Sequence, residues 1–143
     1  MYIGEYRHQM DEKGRIRIPP KLKAQLGENP FITRSSATSA HKCLIVLPCA
    51  KATEIFNAEF GNLSVLTDDS KSVRVMASSG FMAEEDKAGR VLLPQRLIEH
   101  AGLGKNIVTV GAFNRVEIWS EQAWEAYQNE EETPPAREET ENG

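Results

Sequence analysis

A five-residue pattern, Asp-x-x-Gly-Arg, occurs twice in this chain and carries residues suited to binding an anion. It spans residues 11–15 and, 75 residues later, residues 86–90. An arginine beside a glycine has uncluttered backbone next to it, and its guanidinium can bind phosphate or read guanine at O6 and N7. The basic side chains of the two copies are Lys13 and Arg15 in the first and Lys87 and Arg90 in the second. Since such side chains neutralise nucleic-acid phosphates, the doubled pattern predicts double-stranded DNA as a partner.

The same pattern also permits a purely structural interpretation of its arginines. Each aspartate can pair with the arginine four residues later and can accept hydrogen bonds from backbone N–H groups of the turn. From the residues alone, DNA contact and structural brace stay equally open for the two arginines. Glycine can adopt positive φ at little cost, and a carboxylate that faced phosphate would repel it. We therefore assign a structural role in the turns to Asp11, Gly14, Asp86 and Gly89.

Two further arginines are weaker candidates for DNA contact. Arg7 lies on the predicted strand before the first turn, within reach of phosphate. Arg17 alternates with the apolar Ile16 and Ile18, so it faces away from the core, although an outward position is often only a solvated one. Its counterpart in the second copy is Leu92, so any contact that Arg17 makes is not duplicated.

Charge is distributed unevenly along the chain. The 143 residues carry a net charge of −4 at pH 7, which by itself argues against a nucleic-acid partner. Six acidic side chains and one basic side chain lie from Asn129 onward, so this tail accounts for the negative charge. Residues 1–42 hold eight basic and four acidic side chains. The segment that contains the first turn is therefore positive, as DNA binding requires.

The two copies belong to a longer internal repeat that predicts the architecture. Identical pairs extend it beyond the turns: Pro19/Pro94, Leu22/Leu97 and Gly27/Gly102. Each half reads as a strand, the charged turn, a strand, a short helix and two more strands. In the first half the short helix is predicted over residues 21–26, with Pro20 at its start and Gly27 at its end. Each unit is too small to bury a core alone, so the halves should pack as one pseudo-symmetric body.

The remaining predicted strands and helices give the expected domain boundaries. β-like runs cover residues 42–48 and 115–120, and Asn114-Arg115 is predicted to be a hairpin turn. Helices are predicted over residues 51–60 and 121–127, with another that starts at residue 71 and becomes irregular through residues 78–80. We expect repeat domains at residues 5–50 and 79–122 and a helical connector at 51–78. Residues 123–143 are predicted to be a short helix followed by a disordered acidic tail.

Longer stretches carry a family resemblance. The pattern D-x-x-G-R-(I/V)-x-(I/L)-P, followed by x-x-L, resembles the signature of AbrB-type swapped-hairpin domains, which are bacterial transcription factors and antitoxins. Two copies in one chain are similar to the MraZ family, as are the stretches MYIGEYRHQMDEKGR, KCLIVLP and VGAFNRVEIWSEQAWEAY. The resemblance covers about residues 1–128. The chain departs from the family in a longer loop at residues 34–41 and in its own tail.

The resemblance implies both a fold and a function. The implied fold is α+β, mostly β, with tandem AbrB-like swapped-hairpin β-barrel repeats, short helices and pseudo-two-fold symmetry. The implied function is a DNA-binding transcriptional regulator of the division and cell-wall gene cluster that acts on its own promoter. A ring-shaped homo-oligomer on short repeated DNA boxes is also implied. The resemblance favours DNA contact over bracing for Arg15 and Arg90.

Other classes of function find little support in the sequence. No nucleophile–base set, paired catalytic carboxylates or full-length phosphate loop occurs, so no enzyme, cofactor or small-molecule substrate is predicted. Three scattered histidines lack the spacing of metal ligands, and Cys43 and Cys49 read as buried small hydrophobic residues. No apolar run is long enough to span a membrane, and the charged N-terminus argues against secretion. We expect a cytoplasmic, nucleoid-associated protein.

Two alternatives remain open at this point. The first is an antitoxin-like DNA binder of the same fold whose C-terminal tail blocks a toxin. Antitoxins of this fold usually carry one copy of the motif, and this tail lacks hydrophobic anchors. The second is a ring-forming protein-interaction module in which the basic turns face other subunits. The ratio of phosphate to carboxylate partners around Arg15 distinguishes this module from a DNA binder.

Overall fold

The computed structural model describes residues 1–35, 40–61 and 71–130, which form a mixed α+β structure with a mostly antiparallel sheet. The strands in these ranges are β1 (Glu5–Gln9), β2 (Arg15–Ile16), β3 (Phe31–Arg34), β4 (Leu44–Leu47), β5 (Phe81–Met82), β6 (Val91–Leu92), β7 (Asn106–Gly111) and β8 (Val116–Ser120). The helices are α1 (Pro20–Leu26), α2 (Cys49–Phe60), α3 (Lys71–Ser79), α4 (Gln95–Ala101) and α5 (Glu121–Gln128). The predicted α+β class is confirmed.

The short helix after each turn forms where the sequence predicts it. α1 begins at Pro20, where the missing N–H donor costs nothing, and buries Leu22 and Leu26 on its inner face. It ends at Gly27, whose φ of +80° favours glycine. In the second half α4 begins at Gln95, buries Leu97 and Ala101, and ends at Gly102, which has a φ of +62°.

The first strand of each half pairs with a strand of the other half. β1 lies antiparallel to β7, with Arg7 opposite Val108, and β5 lies antiparallel to β3, with Met82 opposite Phe31. The hairpins β3–β4 and β7–β8 join through β4 and β8, which gives one six-stranded sheet in the order β1-β7-β8-β4-β3-β5. Both halves of the chain therefore contribute strands to the same sheet.

A second, two-stranded sheet joins the two copies of the motif. β2 and β6 are antiparallel, with Arg15 opposite Leu92 and Ile16 opposite Val91. Ile16 and Val91 occupy the same position of the repeat, so the pairing looks the same from either half. We call residues 11–17 and 86–92 together the turn ribbon.

The larger of two clusters of buried apolar side chains among the described residues is shared by both halves. Its largest fully buried side chains include Ile16, Leu22, Ile32, Leu44, Leu97, Ile107 and Ile118. Burying each of these side chains stabilises the fold by roughly 1.5–3 kcal/mol. A substitution in either half thus weakens the support of the turn ribbon in both.

Several boundaries differ slightly from the predictions. α2 begins at Cys49 rather than at residue 51, and α3 stays helical to Ser79 instead of becoming irregular at residue 78. The predicted hairpin turn is confirmed between β7 and β8.

The acidic tail beyond residue 130 and residues 36–39 of the longer loop lie outside the described residues. Within the described ranges, none of the helices combines the length and the apolar character needed to cross a membrane.

Candidate nucleic-acid interface

The turn ribbon has one face on the core and one face in solvent. Ile16 and Val91 are each only 1% exposed, which fixes the inward face of both strands. Since successive strand side chains point to opposite faces, Arg15 and Leu92 project outward. Continuing the register by one position brings Arg17 opposite Arg90 on the same outer face.

The first turn is held by the carboxylate of Asp11. Its Oδ1 accepts hydrogen bonds from the backbone N–H groups of Lys13 at 2.9 Å and Arg15 at 2.8 Å. The backbone N–H of Asp11 donates to the carbonyl of Arg15 at 3.0 Å. Gly14 closes the turn with a φ of +85°, a conformation that disfavours any residue with a side chain.

The second turn repeats this geometry. Oδ1 of Asp86 accepts from the backbone N–H groups of Ala88 at 2.8 Å and Arg90 at 2.9 Å, and Gly89 has a φ of +79°. Each turn thus has an aspartate that accepts two backbone hydrogen bonds and a glycine at positive φ.

The two turns are joined by a cluster of four charges. Asp11 Oδ2 lies 2.7 Å from Arg15 Nε and 3.4 Å from Arg90 Nη1. Asp86 Oδ2 lies 3.3 Å from Arg90 Nε and 3.9 Å from Arg15 Nη1. Each aspartate thus contacts the arginine of its own turn and that of the other turn. The bracing interpretation of the arginines therefore has direct structural support.

The contacts with the aspartates do not engage every hydrogen-bond donor of Arg15 and Arg90. A guanidinium carries five N–H donors, and Arg15 and Arg90 keep about a third of their side-chain surface exposed (27% and 35%). The donors not directed at Asp11 or Asp86 remain available to a phosphate or to a base edge. Contact with DNA and bracing are therefore compatible at the same side chain.

Hydrogen bonds hold both aspartates in the charged form. The backbone N–H of Arg15 is the largest cause of the lowered pKa of Asp11, followed by the side chain of Arg15. The backbone N–H of Arg90 lowers the pKa of Asp86 in the same way. The four-charge cluster is consequently balanced at neutral pH, and any excess positive charge on the ribbon must come from other side chains.

The exposed lysines supply that excess. Lys13 and Lys87 lie at the tips of the two turns, and no acceptor for either ammonium group is found among the described residues. Beside the first turn, a groove is lined by Lys13, Arg15, Arg90 and also Lys105, whose backbone carbonyl accepts from Met10 N–H at 2.8 Å. Glu12 lines the same groove, yet the turn ribbon holds five basic and three acidic side chains and so keeps a net positive charge.

Arg17 connects the two turns through the backbone. Its guanidinium donates a hydrogen bond to the carbonyl of Ala88. Its Nε would lie 3.8 Å from a Cβ added to Gly89, so the side chain covers the second turn. Leu92, at the equivalent position of the other half, cannot make such a bond to the first turn.

Arg7 lies elsewhere in the structure. From β1 it contacts three carboxylates: Glu5 at 2.8 Å, Glu125 at 2.7 Å and Glu121 at 3.4 Å. The hydrogen bond that Arg7 donates to the Glu125 carboxylate is the largest cause of the raised pKa of Arg7. Two of these acids belong to α5, so Arg7 holds that helix against the sheet.

The comparison with protein families decides which family this is. The family model described as "MraZ protein", with the qualifier "antitoxin-like", matches residues 1–57 and 76–142. The chain belongs to the MraZ family. A MraZ relative from Carboxydothermus hydrogenoformans is 39% identical over 130 residues, which cover 90% of this chain and 87% of the relative. A second from Natranaerobius thermophilus is 35% identical over 134 residues, covering 93% and 90%. Both are named "Transcriptional regulator MraZ".

Two residues at or near the turn ribbon, Lys105 and Leu92, have no role predicted from the sequence of this MraZ family member. Lys105 lies just before β7 and comes close to the first turn only because β1 pairs with β7. Leu92 is 59% exposed although it lies between the buried Val91 and Leu93. Strict alternation along β6 predicts that exposure, but it does not show that an arginine faces Leu92 across the ribbon.

Proposed function

We propose that this chain is a sequence-specific, DNA-binding transcriptional regulator whose turn ribbon contacts the duplex. The observation that carries the proposal is the joining of both motif copies on one solvent-facing ribbon, with Lys13 and Lys87 at its tips and Arg15 and Arg90 between them. Both relatives are named transcriptional regulators, which supports the same function.

A two-stranded ribbon suits this task because the major groove of B-DNA admits one. In our proposal Lys13 and Lys87 neutralise phosphates on either side of the groove. Arg15 and Arg90 keep their bonds to the aspartates and use their remaining donors on phosphate or guanine. The aspartates then fix the direction of each guanidinium, so less side-chain freedom is lost on binding. Arg17 positions the second turn, and Arg7 is left out of the interface because three carboxylates hold it.

The fold that we propose is a pair of AbrB-like swapped-hairpin repeats related by a pseudo-two-fold axis through the Ile16–Val91 pair. Support comes from the reciprocal exchange of β1 and β5 between the halves and from the symmetric register of β2 with β6. Such an axis sets the two basic turns side by side on one edge. The domain boundaries at residues 5–50 and 79–122 remain part of this proposal.

One ribbon with a few cationic contacts binds duplex DNA weakly, so we also propose a ring-shaped homo-oligomer on short repeated boxes. Later contacts in such an assembly are intramolecular and raise the overall affinity by about 10²- to 10⁴-fold. The boxes that we propose lie upstream of the division and cell-wall gene cluster, including the chain's own gene. The protein then acts in the cytoplasm at the nucleoid.

The proposal is tested by binding to a duplex taken from directly upstream of the chain's own coding sequence. A shuffled duplex of equal composition serves as the reference. We expect preference for the upstream duplex, and a loss of about 1–3 kcal/mol in Arg15→Ala and Arg90→Ala if the arginines read bases. Arg7→Ala, which removes an arginine off the ribbon, should keep the wild-type preference.

Light scattering on each variant separates lost contact from lost assembly. A wild-type protein that binds both duplexes equally contradicts sequence-specific binding. If Arg15→Ala keeps its assembly and its affinity, the arginine is only a brace. Binding of a protein rather than DNA through the turns, as in the interaction-module alternative, would leave both duplexes unbound while the assembly persists.

A further inference from the structure

The outer face of the turn ribbon carries one large apolar side chain among its basic ones. Leu92 is 59% exposed and lies directly opposite Arg15 in the β2–β6 pairing. Its chain neighbours Val91 and Leu93 are 1% and 2% exposed and belong to the core. The side chain of Leu92 therefore contributes little to the packing that holds β6 in place.

The two halves of the ribbon differ at this position. Arg17, the counterpart of Leu92, reaches across to the carbonyl of Ala88 and covers the second turn. Leu92 has no polar atom to offer the first turn, so that turn lacks the equivalent clamp. An apolar side chain therefore stays exposed opposite Arg15, on the face that we propose to contact DNA.

We infer that Leu92 is a specificity-determining residue that contacts the C5-methyl group of thymine in the major groove. This inference rests on the proposed function, because it requires the turn ribbon to enter that groove. Among the four bases only thymine presents a methyl group there, and apolar side chains recognise it by contact. Arg15, across the ribbon, is the matching group for phosphate or guanine. The pair therefore reads an A·T position next to a contact made by an arginine.

A solvent-exposed apolar side chain is common and needs no function by itself. Met82 provides the matched comparison, since it is 57% exposed, also lies on a two-residue strand, and pairs with Phe31 rather than with the ribbon. What distinguishes Leu92 from Met82 is its place among Arg15, Arg17 and Arg90 on one face.

The experiment compares two forms of the upstream duplex, one with thymine and one with deoxyuridine at every thymine position. Deoxyuridine pairs in the same way but lacks the methyl group. We expect wild type to bind the thymine duplex more tightly, by about fourfold for each methyl group that a leucine covers. Leu92→Ala and Leu92→Gln should bind the two duplexes equally, whereas Met82→Ala should keep the wild-type ratio. Thermal unfolding of the three variants checks that each is folded.

The outcomes separate this inference from the proposed function. If wild type prefers the upstream duplex to a shuffled one but Leu92→Ala keeps the thymine-to-deoxyuridine ratio, the role of Leu92 is wrong and DNA binding stands. If wild type binds the thymine and deoxyuridine duplexes equally, the role of Leu92 is likewise wrong and DNA binding stands. If wild type binds no duplex specifically, both are wrong. Loss of the ratio in both Leu92 variants, with its retention in Met82→Ala, supports the contact with thymine.

Discussion

The carboxylate of Asp11 lies 3.4 Å from Nη1 of Arg90, a residue of the other copy of the motif. The same carboxylate lies 2.7 Å from Nε of Arg15 in its own turn. The basic group of one repeat is therefore positioned in part by the acid of the other. This contact explains why a chain would keep both acids: together they fix two guanidinium groups on one ribbon.

The pH dependence of folding should report the role of Asp11. Its pKa is lowered in the folded chain, chiefly by the backbone N–H of Arg15, so its contribution is fully present above the unfolded pKa of about 3.9 and is lost as pH falls through the folded value. We expect wild type to have a higher melting temperature than Asp11→Asn from pH 7 to about 5, and the difference to shrink below about pH 4.

Two histidines also change the melting temperature with pH, equally in wild type and in the variant. Burial lowers the pKa of His8 and of His100, so their contribution to stability declines as pH falls below about 6.5 in wild type and variant alike. A wild-type advantage that stayed constant down to pH 3 would show that the charge of Asp11 does not stabilise the turn. Asp86→Asn is the matched variant, and we expect a smaller difference for it because Asp86 lies farther from the two arginines (3.3 and 3.9 Å) than Asp11 does (2.7 and 3.4 Å).

The two motif glycines should differ in their tolerance of alanine. Both have positive φ, which costs an alanine about 1–2 kcal/mol at either position. A Cβ on Gly14 would also meet Ile98 Cδ1 at 2.9 Å, whereas the nearest atom to a Cβ on Gly89 is Arg17 Nε at 3.8 Å. Chemical denaturation should therefore show a larger loss of unfolding free energy in Gly14→Ala than in Gly89→Ala. Equal losses would mean that Ile98 moves aside freely.

The two cysteines should react at very different rates. Burial, with the charge of Glu117 nearby, raises the pKa of Cys43 to about 12, and its side chain is 4% exposed. Cys49 is partly exposed at the start of α2. A chromogenic disulfide reagent should label one thiol quickly in the folded chain and two in denaturant. Fast labelling of both thiols, or protection of Cys49 instead, would contradict the packing of Cys43 against Val108, Val110 and Trp119.

Local structure could be predicted from the sequence because it depends on neighbouring residues. The glycines and aspartates set the turns, Pro20 and Gly27 delimit α1, and alternation along β2 and β6 gives the inward Ile16 and Val91. These features require no knowledge of distant contacts.

Long-range pairings could not be predicted in the same way. The residue pattern of β1 does not indicate that its partner is β7. The pairing of β1 with β7 is what brings Lys105 close to the first turn. The contacts of Arg7 with α5, of Arg17 with Ala88 and of Asp11 with Arg90 each join segments far apart in the chain. Alternation along the strand predicted that Arg17 faces outward, and the motif predicted a structural role for Asp11, but the partners of these side chains depend on the fold.

The most direct test of the central claim is the salt dependence of binding to the upstream duplex. The variant Lys13→Ala/Lys87→Ala removes the two tip lysines, which lack acceptors among the described residues. The control Lys51→Ala/Lys71→Ala removes two exposed lysines of α2 and α3. Each lysine that neutralises a phosphate adds about 0.9 to the slope of log affinity against log salt. We predict that the slope falls by about two in Lys13→Ala/Lys87→Ala and stays at the wild-type value in the control. An unchanged slope in Lys13→Ala/Lys87→Ala would contradict the placement of DNA on the turn ribbon.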